Sequence, residues 1–254
     1  MTNGKRIFLS GGCGDVLSLE GHWDDQFKQD LTTIYHACKR TQWTDLFRHL
    51  PEHVYPNLTT IESVWPATSK RNHYLYMNDV YKDDPRLSDK LKGVEDWGII
   101  FRFPKINDRE YEFVGSSFLK HTLATLEDFD LPTGYVVCQA DTISDGRSLG
   151  PKDWDGVLRR AAGRPVVVLG LGQGWIPEDP SIIDLRDGTS LAQAIEILKA
   201  ATGFYGVDSC LSVLAFQLPF ADLAIKVKNT WHSSNARCYC APRKAWRDFC
   251  HEGL

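Results

Sequence analysis

The sequence lacks any long apolar run: after Lys5 and Arg6 only Ile7, Phe8 and Leu9 precede Ser10, Gly11 and Gly12. That is too short for the core of a signal peptide, and no other segment approaches a membrane span. A soluble, cytoplasmic protein is therefore expected. Strong charge of one sign is also missing, since 29 Lys+Arg against 33 Asp+Glu leave a formal net charge of -4. This excludes a surface built throughout to hold polyanions. Paired Cys-x-x-Cys spacing is absent as well. The odd set of seven cysteines, at 13, 38, 138, 210, 238, 240 and 250, reads as reduced thiols rather than a disulfide scaffold. Cys238-x-Cys240 with Cys250 and His251 lacks the ligand spacing of a zinc finger, so structural thiols and no metal are expected. No internal repeat is visible. With 254 residues and 43% hydrophobic content, the chain is long enough for one large or two smaller cores, which excludes disorder.

The charge that is present is unevenly placed. Between Lys226 and Leu254 six basic residues (Lys226, Lys228, Arg237, Arg243, Lys244, Arg247) face two acidic ones (Asp248, Glu252), giving +4 there and -8 elsewhere. Trp231, Tyr239, Trp246 and Phe249 are interleaved with those cations. Such a mixture suits a nucleic-acid strand through charge and stacking. It equally suits a terminal helix whose aromatics are buried.

Short apolar runs alternate with helical periodicity, the pattern of an α/β protein with largely parallel sheets. In the first half a strand over 6–10 is expected, then helix to about Lys39, strands near Thr60–Trp65, Tyr74–Met77 and Trp97–Phe103, and a helix over about Ser116–Phe129. Prolines punctuate this half heavily. In the second half strands are expected over Tyr135–Cys138, Val166–Leu169, Ile182–Leu185, Gly203–Val207 and Leu223–Val227. Helices are expected over Pro151–Ala162, from Ser190, and over Ser209–Phe216. Ser190 with Gln193 forms a capping box, and Leu191, Ile195 and Leu198 share one helical face. The organisation is two Rossmann-like domains, 1–132 and 133–235, facing a cleft that would take the ligand, with a basic aromatic tail over 236–254.

Three stretches carry candidate chemistry. The strand-to-helix turn Gly11–Asp15 lets backbone approach a ligand, but Leu17 occupies the third glycine position of a dinucleotide fingerprint. Asp15 there is a helix-capping residue or a general base. Asp208 and Ser209 end the Gly203–Val207 strand, where Asp208 is an N-cap or a ligand contact beside helix amides that suit a diphosphate. The polar loop Asp141–Arg147 is either solvated turn or a phosphate site whose guanidinium neutralises a leaving group.

The Ser10–Ser18 stretch (SGGCGDVLS), the Arg147–Trp154 loop and helix, Ile183–Ala192 (IDLRDGTSLA) and Phe204–Ser209 (FYGVDS) together resemble glycosyltransferase family 9, the heptosyltransferase-like family. The likeness covers about residues 135–220 and 5–20, and the chain is shortened in its N-terminal half. The resemblance implies a GT-B-like fold, an acceptor-side first domain, a nucleotide-sugar-binding second domain and a C-terminal helix returning toward the first. It implies an inverting, metal-independent transfer from a nucleotide-diphosphate sugar, ADP-heptose-like, to a glycan hydroxyl, with no cofactor. Carried over by motif, Asp15 is the base and Arg147, where the family has lysine, stabilises the leaving diphosphate. Gly12, Gly14, Thr142, Ser144, Gln173, Trp175, Asp208, Ser209 and Cys210 contact the donor. Cys210 replaces the motif's glycine, and Val213 stands where many relatives have histidine. Two alternatives accompany this reading: a glycosyltransferase acting on a hydroxylated DNA base, and a non-catalytic nucleotide-binding protein of the same fold.

Overall fold

Runs of apolar and β-branched residues become the interior strands of two parallel sheets, because such strands are covered on both faces. The computed structural model of the chain describes residues 4–38, 40–65, 77–98, 113–142, 148–172 and 174–226. The chain divides into two compact units, Met1–His121 and Thr122–Leu254. The boundary expected near residue 132 lies on coil within the second unit.

In unit 1 the order is β1 (Lys5–Leu9), α1 (Cys13–Glu20), α2 (Asp25–Asp30), β2 (Leu31–His36), a 3₁₀ turn (Gln42–Asp45), α3 (Leu46–His49), β3 (Thr60–Ser63), α4 (Met77–Asp83), α5 (Leu87–Lys90), β4 (Glu95–Asp96) and α6 (Ser117–Lys120). The sheet runs β3-β2-β1-β4, all parallel. On one face Phe8, Tyr35 and Ala37 pack with Val64, Val80, Leu91 and Val94. An aromatic cluster also forms, in which Trp23 stacks on Phe27 at 5.4 Å and meets Trp97 edge-on at 6.0 Å.

Unit 2 continues with β5 (Val136–Gln139), α7 (Pro151–Ala161), β6 (Val166–Val168), β7 (Ile182–Asp184), α8 (Leu191–Ala200), β8 (Gly203–Val207), α9 (Cys210–Ala215) and β9 (Asp222–Lys226). Its sheet order is β7-β6-β5-β8-β9, again all parallel. Val136, Cys138, Val166, Val168 and Tyr205 pack against Trp154, Val157 and Ala161 of α7. The capping box at α8 forms as expected: the Gln193 N–H donates to Ser190 Oγ at 3.2 Å and the Ser190 N–H to Gln193 Oε1 at 2.9 Å. At Gly206 a Cβ would stand 2.6 Å from the Gln139 carbonyl oxygen, so β8 lies close to β5 only because that residue is glycine.

Unit 1 departs from several expectations. The helix expected to run to Lys39 stops at Asp30, and Leu31–His36 is a strand paired along β1. Thr32, Thr33, Ile34 and Tyr35 are β-formers, and their pairing outweighs the helical spacing of the apolar residues before them. Of the strand expected over Tyr74–Met77, 74–76 lie outside the described residues, and Met77 opens α4, its N–H donating to Asp96 Oδ2 at 3.0 Å. The strand expected from Trp97 is the two-residue β4 just before it, and 99–103 lie outside the described residues. The helix expected over Ser116–Phe129 is the single turn α6, because His121 is extended and the Leu123 N–H donates to Glu196 Oε1 at 2.8 Å. The whole 236–254 tail, with its expected returning helix, lies outside the described residues.

One buried charge fastens unit 1. Glu20, at the end of α1, is fully buried. Its Oε1 accepts from the Tyr55 hydroxyl at 2.7 Å, its Oε2 from Ser116 Oγ at 2.6 Å and from the Ser117 N–H at 3.0 Å. The Lys28 ammonium, also buried, stands 3.8 Å away. Burial, then the Glu20 charge, pushes the Tyr55 phenol up, which keeps it a donor. Removing one member of a buried ion pair strands the other. Glu20→Ala should therefore cost about 3–5 kcal/mol of stability, read from urea denaturation.

Candidate functional site

In each sheet the strand order reverses once, and ligands in open α/β sheets bind beyond the carboxyl ends of the strands at that point. In unit 1 the chain goes from β1 out to β2 and β3, then returns to β4 on the other side of β1. The reversal therefore lies between Leu9 and Asp96. In unit 2 it lies between β5 and β8, hence between Gln139 and Val207.

The unit 1 turn is built around Asp15. It is the third residue of α1 and is buried, and its Oδ2 accepts from the Gly12 N–H at 2.6 Å. Gly11 has φ +109, and a Cβ there would stand 2.5 Å from Asp15 Oδ2. The turn thus needs glycine for both conformation and close approach. Cys13 and Gly14 are the first two residues of α1, and the Cys13 thiol is half-buried.

His36 and Cys38 lie next to this turn, at the end of β2. His36 pairs in register with Leu9, is buried, and meets the Trp43 ring edge-on at 5.1 Å. Its Nδ1 has no hydrogen-bond partner among the described residues. Burial lowers its pKa to about 4, opposed by the Cys38 backbone, so the imidazole is neutral at pH 7. The Cys38 thiol is pushed up by burial and then by the Asp15 charge, so it is a protonated thiol and not a nucleophile.

In unit 2 the centre is Asp141, which follows β5 and is buried. Its Oδ2 accepts from the Gly174 N–H at 2.7 Å. A Cβ at either Gly172 or Gly174 would overlap its carboxylate, so the loop after β6 closes on Asp141 through two side-chain-free positions. Arg186 braces the loop from the far side: Nη1 donates to the Gly174 carbonyl at 2.6 Å, while Nε and Nη2 hold Asp184 at 2.8 Å each. That fork holds the Asp184 carboxyl below the usual range and raises the guanidinium. Arg186 also stands 3.7 Å from Asp141 Oδ2.

Thr142 follows Asp141 at the neck of the polar loop, which an antiparallel bridge between Asp141 and Ser148 and a 2.7 Å bond from the Leu149 N–H to the Ala140 carbonyl draw together. Ser144 and Arg147, like Gln173, lie outside the described residues. Beyond the neck, Asp153 accepts from the Gly150 N–H at 2.7 Å and from Lys226 Nζ at 2.6 Å. Partial burial opposes ionisation of Asp153, but these two bonds win and hold its carboxyl low.

Across the reversal point, Asp208 follows β8, and its N–H donates to the Lys226 carbonyl at 3.2 Å. Ser209 is the N-cap of α9: its Oγ accepts from the Ser212 N–H at 3.4 Å and donates to Gln139 Oε1. The Ser209 hydroxyl is thus occupied in capping, and α9 has only six residues. Cys210 opens that helix with a half-buried thiol. Trp175 is 54% exposed, with its carbonyl fixed by the Trp154 indole N–H at 3.1 Å.

Sequence reading named Asp15 and the two unit 2 loops but missed Asp141 as the centre of a clasp, Arg186 as its brace, and His36. The available signal for the clasp is the alternation Gly170-x-Gly172-x-Gly174 after a buried strand. Contact between that alternation and a carboxylate 31 positions earlier than Gly172 is decided by strand pairing. Among the described residues, no group of three or more His, Cys, Asp or Glu is placed to hold a metal ion, and no helix is long and apolar enough to cross a membrane.

No protein-family model and no curated protein sequence matches the chain. Solved structures similar in fold include two forms of one protein. One is the iron-containing dodecameric glycosyltransferase TibC from enterotoxigenic E. coli H10407, at 16% identity, TM-score 0.48, covering 89% of this chain and 61% of that one. The other is the dodecameric iron-containing heptosyltransferase TibC in complex with ADP-D-beta-D-heptose, at 16% identity and TM-score 0.50, covering 89% and 59%. The chain spans about three fifths of the length of these structures. The second likeness, with the two parallel sheets, makes the fold α/β and GT-B-like.

Two outcomes are expected from this geometry. Because the unfolded His36 imidazole takes up a proton near pH 6.5 and the folded one only near pH 4, stability falls as pH drops between those values. The loss is on the order of 3 kcal/mol, and His36→Phe, which keeps a ring against Trp43, should remove that part of the slope in urea denaturation across pH 7 to 4. Gly172→Ala forces a methyl against the Asp141 carboxylate and should cost about 1–3 kcal/mol by the same measurement.

Proposed function

We propose that this chain is an inverting glycosyltransferase that moves a sugar from a nucleotide-diphosphate sugar of the ADP-heptose type to a hydroxyl of a glycan. The observation that carries the reading is the position of Asp15, buried and oriented by the Gly12 N–H on the turn that leaves β1 at the reversal point of its sheet. The GT-B-like fold supports it, as does the heptosyltransferase named among the fold's solved relatives.

In this reaction Asp15 takes the proton from the acceptor hydroxyl as its oxygen attacks the anomeric carbon. A new C–O bond forms on the face opposite the diphosphate, the bond to the diphosphate oxygen breaks, and configuration inverts. Unit 2 holds the donor, with Arg147 and Thr142 at the departing diphosphate, where a guanidinium offers paired hydrogen bonds to phosphate oxygens. Asp208 orders the β8–α9 turn and binds sugar hydroxyls, Ser209 shapes the same turn, and Trp175 offers an exposed ring to the nucleotide. No step is assigned to a metal or cofactor.

Asp15→Asn keeps an oxygen to accept from Gly12 while removing the base. Incubated with a panel of nucleotide sugars and glycan acceptors, the variant should release nucleotide about 10²–10⁴-fold more slowly than the native chain, with donor affinity and unfolding midpoint preserved. Turnover at the native rate would end the role proposed for Asp15.

A further inference from the structure

Gln139 is the polar exception in an apolar strand. The other residues of β5, Val136, Val137 and Cys138, are fully buried, and Gln139 is buried beside them, in register with Gly206 of β8. Val136 and Cys138 pack against α7, so the strand's alternation turns Gln139 and Val137 to the other face. A buried amide costs free energy unless its donor and its acceptor are both bonded. Here both are: Oε1 accepts from Ser209 Oγ, and Nε2 donates to the Asp141 carbonyl at 3.4 Å. Glutamine suits this place because one planar group carries donor and acceptor side by side. A methionine would fill a similar volume and join nothing.

The two partners belong to different turns. Asp141 follows β5, and Ser209 stands between β8 and α9 as that helix's N-cap. The strand order of this sheet reverses between β5 and β8. The Gln139 side chain therefore crosses the reversal point and fastens the turn on one side to the turn on the other. Bonding continues beyond Ser209: its N–H donates to Ser212 Oγ at 2.8 Å, and Ser212 Oγ donates to the Ser209 carbonyl at 2.8 Å. Ser212 is fully buried, so this end of the link is anchored in the core. Backbone closes around Gln139 from two more sides. A Cβ at Gly170, just beyond β6, would stand 3.7 Å from Cγ and from Nε2, and a Cβ at Gly206 3.0 Å from the Gln139 backbone nitrogen.

We propose that Gln139 is a positioning residue for the nucleotide-sugar donor: it touches no ligand itself, and through Ser209 and the Asp141 carbonyl it holds the two turns at a fixed separation. Thr142 follows Asp141 directly and Asp208 directly precedes Ser209. The inference rests on the glycosyltransferase reading, which assigns Thr142 to the diphosphate and Asp208 to sugar hydroxyls, but not on Asp15 or on catalysis. A donor that bridges the two turns then meets a preset pair, and less ordering opposes its binding.

Equilibrium binding of ADP-heptose to the full chain tests it, with urea midpoints showing that each protein is folded under the binding conditions. Gln139→Met, which loses both bonds and keeps the volume, should weaken binding roughly tenfold. Ser209→Ala, which leaves the strand untouched, should weaken it by a similar factor. The double variant should bind no more weakly than the worse single one, because both changes cut the same link. Tyr205→Phe supplies the readout for stability alone: its hydroxyl, bonded to Arg164 at 2.9 Å and to Asp222, belongs to the opposite face of the sheet. That variant should lower the urea midpoint and keep the native affinity. Native affinity in either folded single variant overturns the proposal and leaves the glycosyltransferase reading intact. So does a double variant whose loss is the product of the two single losses, or a Tyr205→Phe loss as large as that of Gln139→Met. A native chain that binds no ADP-heptose removes the donor reading and the proposal together.

Discussion

In both units a carboxylate just beyond the carboxyl end of an interior strand is held by the N–H of a glycine, Asp15 in the first turn of α1 by Gly12 and Asp141 after β5 by Gly174. The rest of each candidate site depends on this contact. A carboxylate buried at a strand end needs donors at once, and backbone amides are the donors available there without another side chain. Backbone comes that close only where no Cβ intervenes, so Gly11 in one unit and Gly172 with Gly174 in the other follow from the carboxylates. The glycine loops of this chain are therefore shaped first around its own acids and only then around a ligand.

Charge pairing fastens both units, through a buried pair in the first and half-exposed pairs in the second. Glu20 is satisfied by a phenol, a serine hydroxyl, an amide and Lys28, which fastens α1 and α2 to the segment carrying α6. In unit 2 the bracing charges are only partly buried: Arg186, beyond β7, donates to the Gly174 carbonyl in the loop after β6, and Lys226, at the end of β9, pairs with Asp153 at the start of α7. His36 shows the opposite solution: burial disfavours its charged form, so it stays neutral.

Legibility in the sequence differed sharply between the two halves. The Val166–Val168 run, the Pro151 helix start and the Ser190–Gln193 box are local devices, each complete within a few residues, and the structure contains them where periodicity and capping place them. β2 was hidden because Thr32, Thr33 and Tyr35 alternate poorly in polarity, and only pairing with β1 reveals them as a strand. The Ser116 segment reads as helix locally. It stops after one turn because Glu20 captures its start and Glu196 the N–H of Leu123 beyond its end.

The sequence by itself determined an α/β chain of parallel strands, the glycine turns, and Asp15 and Asp208 as acids at strand-to-helix turns, with Asp141 only as the first residue of a polar loop. Those follow from side-chain shape, backbone freedom and hydrophobic period, all of which act over a few residues. Only the tertiary structure decided what each acid faces. Asp15 turns back on its own loop, Asp141 is wrapped by a loop from the neighbouring strand, and Ser209 is spent on Gln139 and its own helix. Burial leaves a polar group no water to bond, so its partner is whichever donor the strand order brings within reach, and strand order is a property of the whole sheet.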